Sequence, residues 1–303
     1  WEINQYTITF DTNGGSEIEP ITQDYGTEIT VPDNPTRKGY TFKGWDREIP
    51  ETMPAENITV KAQWEINQYT ITFDTNGGSE IAPITQDYGT EITAPDNPTR
   101  KGYTFKGWDK EIPETMPAEN ITITARWKDT EKPTGEIIIG TNKWREFLNT
   151  LTFDLFFKDT QMVTVTAADN SGEAVKIEYL LSDKALTESE LAGMTFTAYS
   201  APFSINPDNE YVIYAKLTDT SGNVAYINTN GIVLDATVPV ISGIEAGKTY
   251  CAAQTITVDE KYIGTVKVNG TKVNLDENSQ FALSPASGEQ TIVVTDKAGN
   301  ETR

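Results

Sequence analysis

Apolar and polar residues alternate along several short segments of this 303-residue chain. In YTITFD, at 6–11, Tyr6, Ile8 and Phe10 fall on one face of an extended segment, and three polar side chains fall on the other. In ITVKAQW, at 58–64, apolar residues again occupy every second position. This period of two predicts half-buried β-strands.

Turn-forming residues separate these segments. TNGGSE, at 12–17, carries Asn13, Gly14 and Gly15, which tolerate positive φ and let the chain reverse. The next segment, ITQDYGTEITV, reads as a second strand region with a turn near Tyr25 and Gly26, and it ends before Pro35.

The whole pattern recurs with a period of 63 residues, which is the mark of a repeat architecture. Trp1, Trp64 and Trp127 are one period apart, so we expect that Trp1 closes an earlier copy and that the fragment begins inside a longer array. Residues 1–63 and 64–126 differ at six positions: Glu19/Ala82, Val31/Ala94, Arg47/Lys110, Val60/Ile123, Lys61/Thr124 and Gln63/Arg126.

The differences between the copies respect the predicted strand faces. On the apolar face of the last strand, Val60 changes only to Ile123, whereas Lys61 on the other face becomes Thr124. A buried face tolerates only such conservative changes, which favours burial of the Val60 side.

The segment GYTFKGW occurs at 39–45 and again, unchanged, at 102–108. A module of about 60 residues buries only about 60% of its unfolded surface, so a few large rings must supply much of its core. We expect Tyr40, Phe42 and Trp45 to be core residues, each removing about 150–250 Å² from water. The alternative is a binding platform built on Trp45.

The second half has a different organisation, beginning with the polar linker KDTEKPTGE. Asp129 with Pro133 is echoed by Asp235 with Pro239, and TDTSGN at 218–223 is echoed by TDKAGN at 295–300. Many short β-rich runs between these marks predict two sandwich-like modules. Two short helices are expected, one at 182–193 capped by Ser182 or Asp183 and one near 143–148.

These motifs resemble known families. The pattern ITFDTNGG, then PTRKGYTFKGW, then a closing strand ending in Trp is similar to the Listeria–Bacteroides repeat, also called the internalin B-repeat. The resemblance covers residues 1–127 and implies a tandem β-grasp-like fold on an extracellular bacterial protein, with no catalytic residues. The second half resembles bacterial immunoglobulin-like domains, through the shorter D-x-x-x-P and D-x-x-G-N motifs.

The predicted fold class is therefore mainly β, in an extended multidomain arrangement. We predict two B-repeats followed by two immunoglobulin-like modules, the last being small or truncated. The predicted domains are residues 1–64, 65–128, 129–235 and 236–303.

Composition narrows the possible functions. The formal net charge is −21 and no basic stripe occurs, which disfavours nucleic-acid binding because phosphates would be repelled. The single cysteine, Cys251, cannot form a disulfide within the chain and is expected to be a small packed residue. No run of eighteen apolar residues occurs, so membrane or cell-wall attachment is expected only through segments outside this fragment.

The sequence contains few motifs that indicate catalysis or metal binding. The chain has no histidine, which removes Ser-His and Cys-His nucleophilic systems and the commonest zinc ligand. The turns at Asp169 and Asp219 cluster oxygens that calcium could use, but neither has the ligand spacing of an EF-hand loop, and an Asx-type turn is the simpler interpretation. We therefore predict no catalytic residues, no metal and no cofactor.

The function predicted is a non-catalytic stalk or adhesin on a bacterial cell surface or cell wall, contacting an extracellular protein or glycan. The alternative is the accessory tail of a large secreted enzyme such as a glycoside hydrolase or peptidase. That tail would act as a spacer or as a carbohydrate- or protein-binding segment.

The extended arrangement can be tested by small-angle X-ray scattering. Four modules, each roughly 25–30 Å across, would reach on the order of 110–120 Å in line and give a radius of gyration of roughly 35 Å. A radius of gyration of about 20 Å, expected for one globule of this length, would contradict the extended arrangement.

Overall fold

The computed structural model describes residues 2–303, which form two compact units. The first unit ends at Asp129 and the second runs Thr130–Arg303. Strands dominate both units, in agreement with the predicted mainly β class. The four domain boundaries given above stay a prediction.

The first repeat is one four-stranded mixed sheet with the order β2-β1-β4-β3. Its central strands are the first and the last of the repeat, and they pair in parallel from Ile8↔Ile58 to Asp11↔Lys61. This sheet agrees with the β-grasp-like fold that the resemblance implied, although the segment between β2 and β3 is not helical. The strands are β1 (Gln5–Asp11), β2 (Ile21–Asp24), β3 (Tyr40–Trp45) and β4 (Ile58–Ile66).

The second repeat has the same sheet, in the order β6-β5-β8-β7. Ile8 and Val60 are fully buried in the first repeat, as are Ile71 and Ile123 in the second, so the predicted inner strand face is confirmed. Each repeat holds its own apolar cluster. The strands are β5 (Gln68–Asp74), β6 (Ile84–Asp87), β7 (Tyr103–Trp108) and β8 (Ile121–Asp129).

A bulge in β3 explains the second glycine of GYTFKGW. The register with β4 shifts between Phe42↔Trp64 and Gly44↔Gln63, and Gly44 adopts φ 118°. In a regular strand, residues 42 and 45 would point to opposite faces, but the extra residue brings both rings to one side. The ring centroids of Phe42 and Trp45 are consequently 5.4 Å apart in an edge-on arrangement.

The first module of the second unit packs two sheets face to face, in the orders β10-β9-β12-β15 and β11-β18-β16-β13-β14, with β17 paired to β16. Ile137 and Val163 from one sheet meet Ile213 and Leu234 from the other in a shared core. Its elements are β9 (Thr134–Ile139), β10 (Asn142–Trp144), β11 (Phe153–Phe157), β12 (Gln161–Ala168), β13 (Lys176–Ser182), α1 (Glu188–Leu191), β14 (Thr197–Ala198), β15 (Phe203–Ile205), β16 (Asn209–Thr218), β17 (Val224–Asn228) and β18 (Gly231–Leu234).

The remaining residues form a smaller pair of sheets, in the orders β19-β20-β23 and β22-β21-β24-β25. Ile256 and Val258 pack with Val266 and Val294 to make the core between them. The strands are β19 (Val240–Ser242), β20 (Gln254–Asp259), β21 (Ile263–Val268), β22 (Thr271–Val273), β23 (Gln280–Leu283), β24 (Ile292–Asp296) and β25 (Glu301–Thr302).

One predicted helix is present, but its predicted cap is wrong. Helix α1 begins after Thr187, whose side chain forms a capping box with Glu190. The Thr-x-x-Glu spacing satisfies two backbone N–H groups reciprocally, which Ser182 could not do at its distance. Ser182 instead forms a local turn with Lys184.

The helix predicted near 143–148 is wrong. Residues Asn142–Trp144 form β10, which pairs with β9 through a hairpin whose turn contains Gly140 at φ 58°. Trp144 packs against the sandwich core, and Lys143 and Arg145 both reach Glu136 on β9. Tertiary packing of the strand therefore overrides the local helical preference.

Two further features concern the surface. Cys251, expected to be packed, is exposed in the loop before β20, because that loop lies outside the alternating apolar strands. Within residues 2–303, no helix has the length and apolar character needed to cross a membrane.

The two copies allow a stability test in which each residue is exchanged for its own counterpart. Ile123→Val removes one buried methylene from β8 and should lower the free energy of unfolding of the second repeat by about 0.5–1.5 kcal/mol. The control Arg126→Gln alters an exposed residue and should change that free energy by less than about 0.5 kcal/mol. NMR-detected native-state hydrogen exchange of β5 and β8 measures both, and equal effects would contradict the burial of this face.

Candidate functional site

The first turn and the last strand of each repeat meet at a tryptophan. The indole Nε1 of Trp64 donates to the carbonyl of Thr12 at 3.0 Å. The ring lies so close to Gly15 that a Cβ on this glycine would come within 2.6 Å of Trp64 Cζ2. Trp127 and Gly78 repeat this arrangement in the second copy.

The rings of GYTFKGW continue inward from this tryptophan. Phe42 lies against Trp64, with ring centroids 5.5 Å apart, and Trp45 lies against Phe10, with centroids 5.3 Å apart. Trp45 and its counterpart Trp108 are partly buried, and each packs against the core of its own repeat. These contacts favour the core interpretation of the two tryptophans over a binding platform.

Tyr40 has a different role from the one predicted. Its ring lies under the guanidinium of Arg37, with Cζ 3.9 Å from the ring centroid, and its edge faces Tyr88 of the second repeat. The ring centroids of Tyr40 and Tyr88 are 6.2 Å apart. Tyr40 is therefore part of the contact between repeats and lies outside the apolar cluster of its own repeat.

This contact, which we call the repeat junction, consists of Gly39, Tyr40 and Thr41 from one copy and Asn67 and Tyr88 from the next. The Asn67 N–H donates to the Gly39 carbonyl at 2.9 Å, and the Thr41 hydroxyl donates to Asn67 Oδ1 at 2.6 Å. Gly39 has φ 79°, and a Cβ there would lie 2.1 Å from Tyr88 Cδ1. Glycine is thus required both by the backbone conformation and by the tyrosine ring.

The same tyrosine is exposed where this contact is not made. Tyr25 is the counterpart of Tyr88 in the first copy, and it is 58% exposed, with its ring edge-on to Tyr6 of its own repeat. Tyr88 is partly buried, and its ring pairs across the junction. The two nearly identical copies therefore give this tyrosine different surroundings: Tyr88 faces the preceding copy, and Tyr25 faces its own repeat.

The two turns considered for calcium lie together in the second unit. The Ser171 N–H donates to Asp169 Oδ2 at 2.9 Å, and the Asn223 N–H donates to Asp219 Oδ1 at 2.7 Å. The Asp169 carboxylate therefore forms the expected Asx-type turn. The Asp219 carboxylate accepts from a residue four positions on, so the Asx-type turn expected there is not formed. A hydrogen bond from Thr220 to Glu173 joins the turns, and Asp169 and Asp219 offer carboxylate oxygens within 4.8 Å of one another.

A second group of acids, which we call the acidic cluster, consists of Asp235, Glu260 and Asp296. One carboxylate oxygen from each residue lies within 4.8 Å of the other two. Asp235 follows β18, Glu260 follows β20 and Asp296 ends β24, so the ends of three strands bring these residues together. Asp235 and Asp296 are buried, while Glu260 is partly exposed.

Asn300 completes the wall of this cluster. Its Nδ2 donates to the Asp235 carbonyl and to Asp296 Oδ2, both at 2.7 Å, and its own N–H donates to Asp296 Oδ1. The Asn300 side chain is fully buried, and its Oδ1 accepts no hydrogen bond. These four residues offer only oxygen atoms, the ligands of hard cations such as calcium.

An ion pair lies beside the cluster, in a groove of about 670 Å³. Lys261 Nζ lies 2.5 Å from Glu210 Oε1, and the Tyr262 hydroxyl donates to the same oxygen. These hydrogen bonds from Lys261 and Tyr262 lower the pKa of Glu210. Glu210 is on β16 and the other two residues follow β20, so this pair joins the two sandwiches of the second unit.

Sequence reasoning did not identify the repeat junction or the acidic cluster. The echoes D-x-x-x-P and D-x-x-G-N pointed to Asp235, Asp296 and Asn300, which the structure brings together. No sequence motif identified Glu260. None identified Tyr88 either, because the sequence around Tyr25 in the other copy is the same.

Comparison with known proteins supports the repeat assignment. The Listeria-Bacteroides repeat domain matches residues 6–63 and 69–126. A protein of Evansella cellulosilytica, provisionally named a Gly-rich membrane protein, is 38% identical over an alignment of length 144 that covers 42% of this chain and 17% of that protein. Internalin H of Listeria monocytogenes is 38% identical over an alignment of length 146 that covers 42% of this chain and 26% of that protein. The matched region is therefore a small part of either relative.

The repeat junction can be tested with the two equivalent tyrosines. Tyr88→Ala removes the ring pair with Tyr40, and such pairs contribute about 0.5–1.5 kcal/mol. The Asn67 amide should then exchange its hydrogen about 2- to 13-fold faster, as measured by NMR. Tyr25→Ala makes the same chemical change away from the junction and should leave that amide unaffected. Equal acceleration in both variants would contradict a specific contact.

Proposed function

Residues 6–63 and 69–126 are two Listeria–Bacteroides repeats in tandem, and we propose that the chain is a non-catalytic segment of a bacterial cell-surface protein. In this proposal the segment acts as a load-bearing stalk, and it also makes adhesive contacts with an extracellular protein or glycan. Attachment to the membrane or cell wall is assigned to segments outside it.

The observation that carries this proposal is the parallel pairing of the first and last strands in each repeat. Force applied at the two ends of a repeat pulls these neighbouring strands in opposite directions along their length. Four residue pairs, from Ile71↔Ile121 to Asp74↔Thr124 in the second copy, then bear the load together. Two strands pulled apart from one end would break their residue pairs one after another, and they would therefore separate at a lower force.

The repeat junction supports the same role. A string of modules transmits force and direction better when neighbours are fixed by specific contacts than when a free linker joins them. Strand β4 continues from the first repeat up to Ile66, and β5 begins at Gln68, so a single residue, Asn67, separates the two sheets. The backbone N–H and the side-chain Oδ1 of Asn67 both form hydrogen bonds with the first repeat.

The names of the relatives support a surface location. Two similar proteins of Evansella cellulosilytica carry names that describe membrane proteins, and a third relative is internalin H. The aligned regions cover only 17%, 22% and 26% of these proteins, so the proposal concerns a repeat segment within a longer surface protein.

Single-molecule force spectroscopy on the 303-residue protein tests the stalk. Each repeat should unfold in one event that lengthens the chain by roughly 200 Å, the extended length of about 63 residues. Ile71→Val removes one buried methylene from β5 and should lower the unfolding force of the second repeat.

The first repeat is the control within the same molecule, because its sequence is nearly identical and its Ile8 is unchanged. Two force populations should therefore replace one in the Ile71→Val variant. If both repeats unfold at the original force, the β5–β8 pairing does not bear the load. Gradual extension without distinct events would overturn the stalk proposal itself.

A further inference from the structure

We propose that Asp235, Glu260, Asp296 and the side-chain oxygen of Asn300 form a calcium-binding site in the second unit. The inference rests on the geometry of this cluster alone and does not depend on the stalk proposal.

The spacing of the carboxylates suits one ion. Calcium binds oxygen ligands at about 2.3–2.6 Å, so two oxygens on one ion lie at most about 5 Å apart. The three carboxylates of the cluster meet this limit, with one oxygen from each within 4.8 Å of the others. The hydrogen bonds that these carboxylates accept from Thr237, Tyr262 and Asn300 leave lone pairs on each of them.

Asn300 gives an independent indication of a ligand. Its two Nδ2 hydrogens are used by the Asp235 carbonyl and by Asp296 Oδ2, so a flipped carboxamide would place oxygen against oxygen. The orientation of the Asn300 amide is thereby fixed. Oδ1 is bonded to the same carbon as Nδ2, the atom that contacts Asp235 and Asp296. This oxygen is fully buried without a hydrogen-bond donor, an unfavourable state that a bound cation would relieve.

The electrostatics of the cluster also favour a cation. Asp235 and Asp296 are buried, and carboxylate oxygens of Asp235, Glu260 and Asp296 lie within 4.8 Å of one another. The ammonium of Lys261 lines the same groove, but it is paired with Glu210. Within residues 2–303, none of the three cluster carboxylates forms an ion pair. A divalent ion would offset the repulsion among these close negative charges.

The ligand atoms of the acidic cluster indicate which metal it would bind. The cluster offers no nitrogen or sulfur, which zinc prefers in structural sites. Magnesium retains several waters and demands near-octahedral geometry, whereas Asp235, Asp296 and Asn300 leave little room for water because all three are buried. Calcium accepts a larger, less regular set of protein oxygens and fits these residues better.

The local structure that holds the ligands occurs twice in the second unit. Asn223 donates to Asp219 through both its N–H and its Nδ2, as Asn300 donates to Asp296. The sequences TDTSGN and TDKAGN therefore fold into the same turn. In the second of these turns, Asn300 also holds the Asp235 carbonyl, so an ion there would tie the segment entering the last module to its closing strands.

Calcium titration of the 303-residue protein by isothermal calorimetry tests the site, with calcium chloride as the only added ligand after chelation. Glu260→Gln keeps the size of the side chain and an oxygen that can accept from Tyr262, but it removes one ligand charge. We expect the calcium affinity of the cluster to fall on the order of 10-fold or more, since ligand charge tunes affinity. The matched control is Asp259→Asn, an adjacent exposed residue of the same groove, which should bind as the unaltered protein does.

Hydrogen exchange on the unaltered protein locates the ion even if a variant fails to fold. Calcium should slow exchange around residues 235–240, 260–263 and 296–302. Absence of calcium binding at millimolar concentration would overturn the proposal. Equal affinity in Glu260→Gln and Asp259→Asn, or protection confined to other segments, would overturn it as well.

Discussion

The indole of Trp64 lies directly on the backbone of Gly15, and this contact joins the start of the first repeat to its end. Its Nε1 closes the turn by donating to the Thr12 carbonyl. Its ring packs against Phe42, and Phe42 packs against Trp45. A module of about 60 residues has little apolar surface to bury, so a connected set of rings must replace a larger aliphatic core. The turn glycines, the bulged strand and the terminal tryptophan serve this one packing arrangement.

The parallel β1–β4 pairing follows from the same arrangement. Because the last strand is central in the sheet, it can bury Val60 and Ala62 while presenting Trp64 to the turn after β1. The next repeat begins after only one intervening residue, which brings Tyr88 over Gly39. Core packing, the parallel pairing that we propose to bear load, and the contact between copies thus depend on a single strand that crosses each repeat.

The second unit uses polar groups where the repeats use rings. Its modules are joined near the Glu210–Lys261 pair, and Asn300 holds the Asp235 carbonyl at the entry to the last module. Buried polar groups stabilise such positions only when all their partners are present. The Asn300 oxygen, buried beside three acids, is one position where the described residues alone do not complete the network.

The sequence by itself determined the repeat, the inner faces of its strands, the turn at Asn13 and Gly14, and the mainly β class. These depend on local periodicity and on residues that tolerate positive φ, both of which can be read along the chain. Tertiary structure alone decided that Tyr40 meets the next repeat, that Asn142–Trp144 is a strand, that Cys251 is exposed and that Glu260 joins Asp235 and Asp296. The contacts of Tyr40 and Glu260 are made with residues distant in sequence. Tyr25 and Tyr88 show why such contacts cannot be read along the chain: the residues around them are the same, but Tyr88 pairs with Tyr40 of the preceding copy and Tyr25 pairs with Tyr6 of its own repeat.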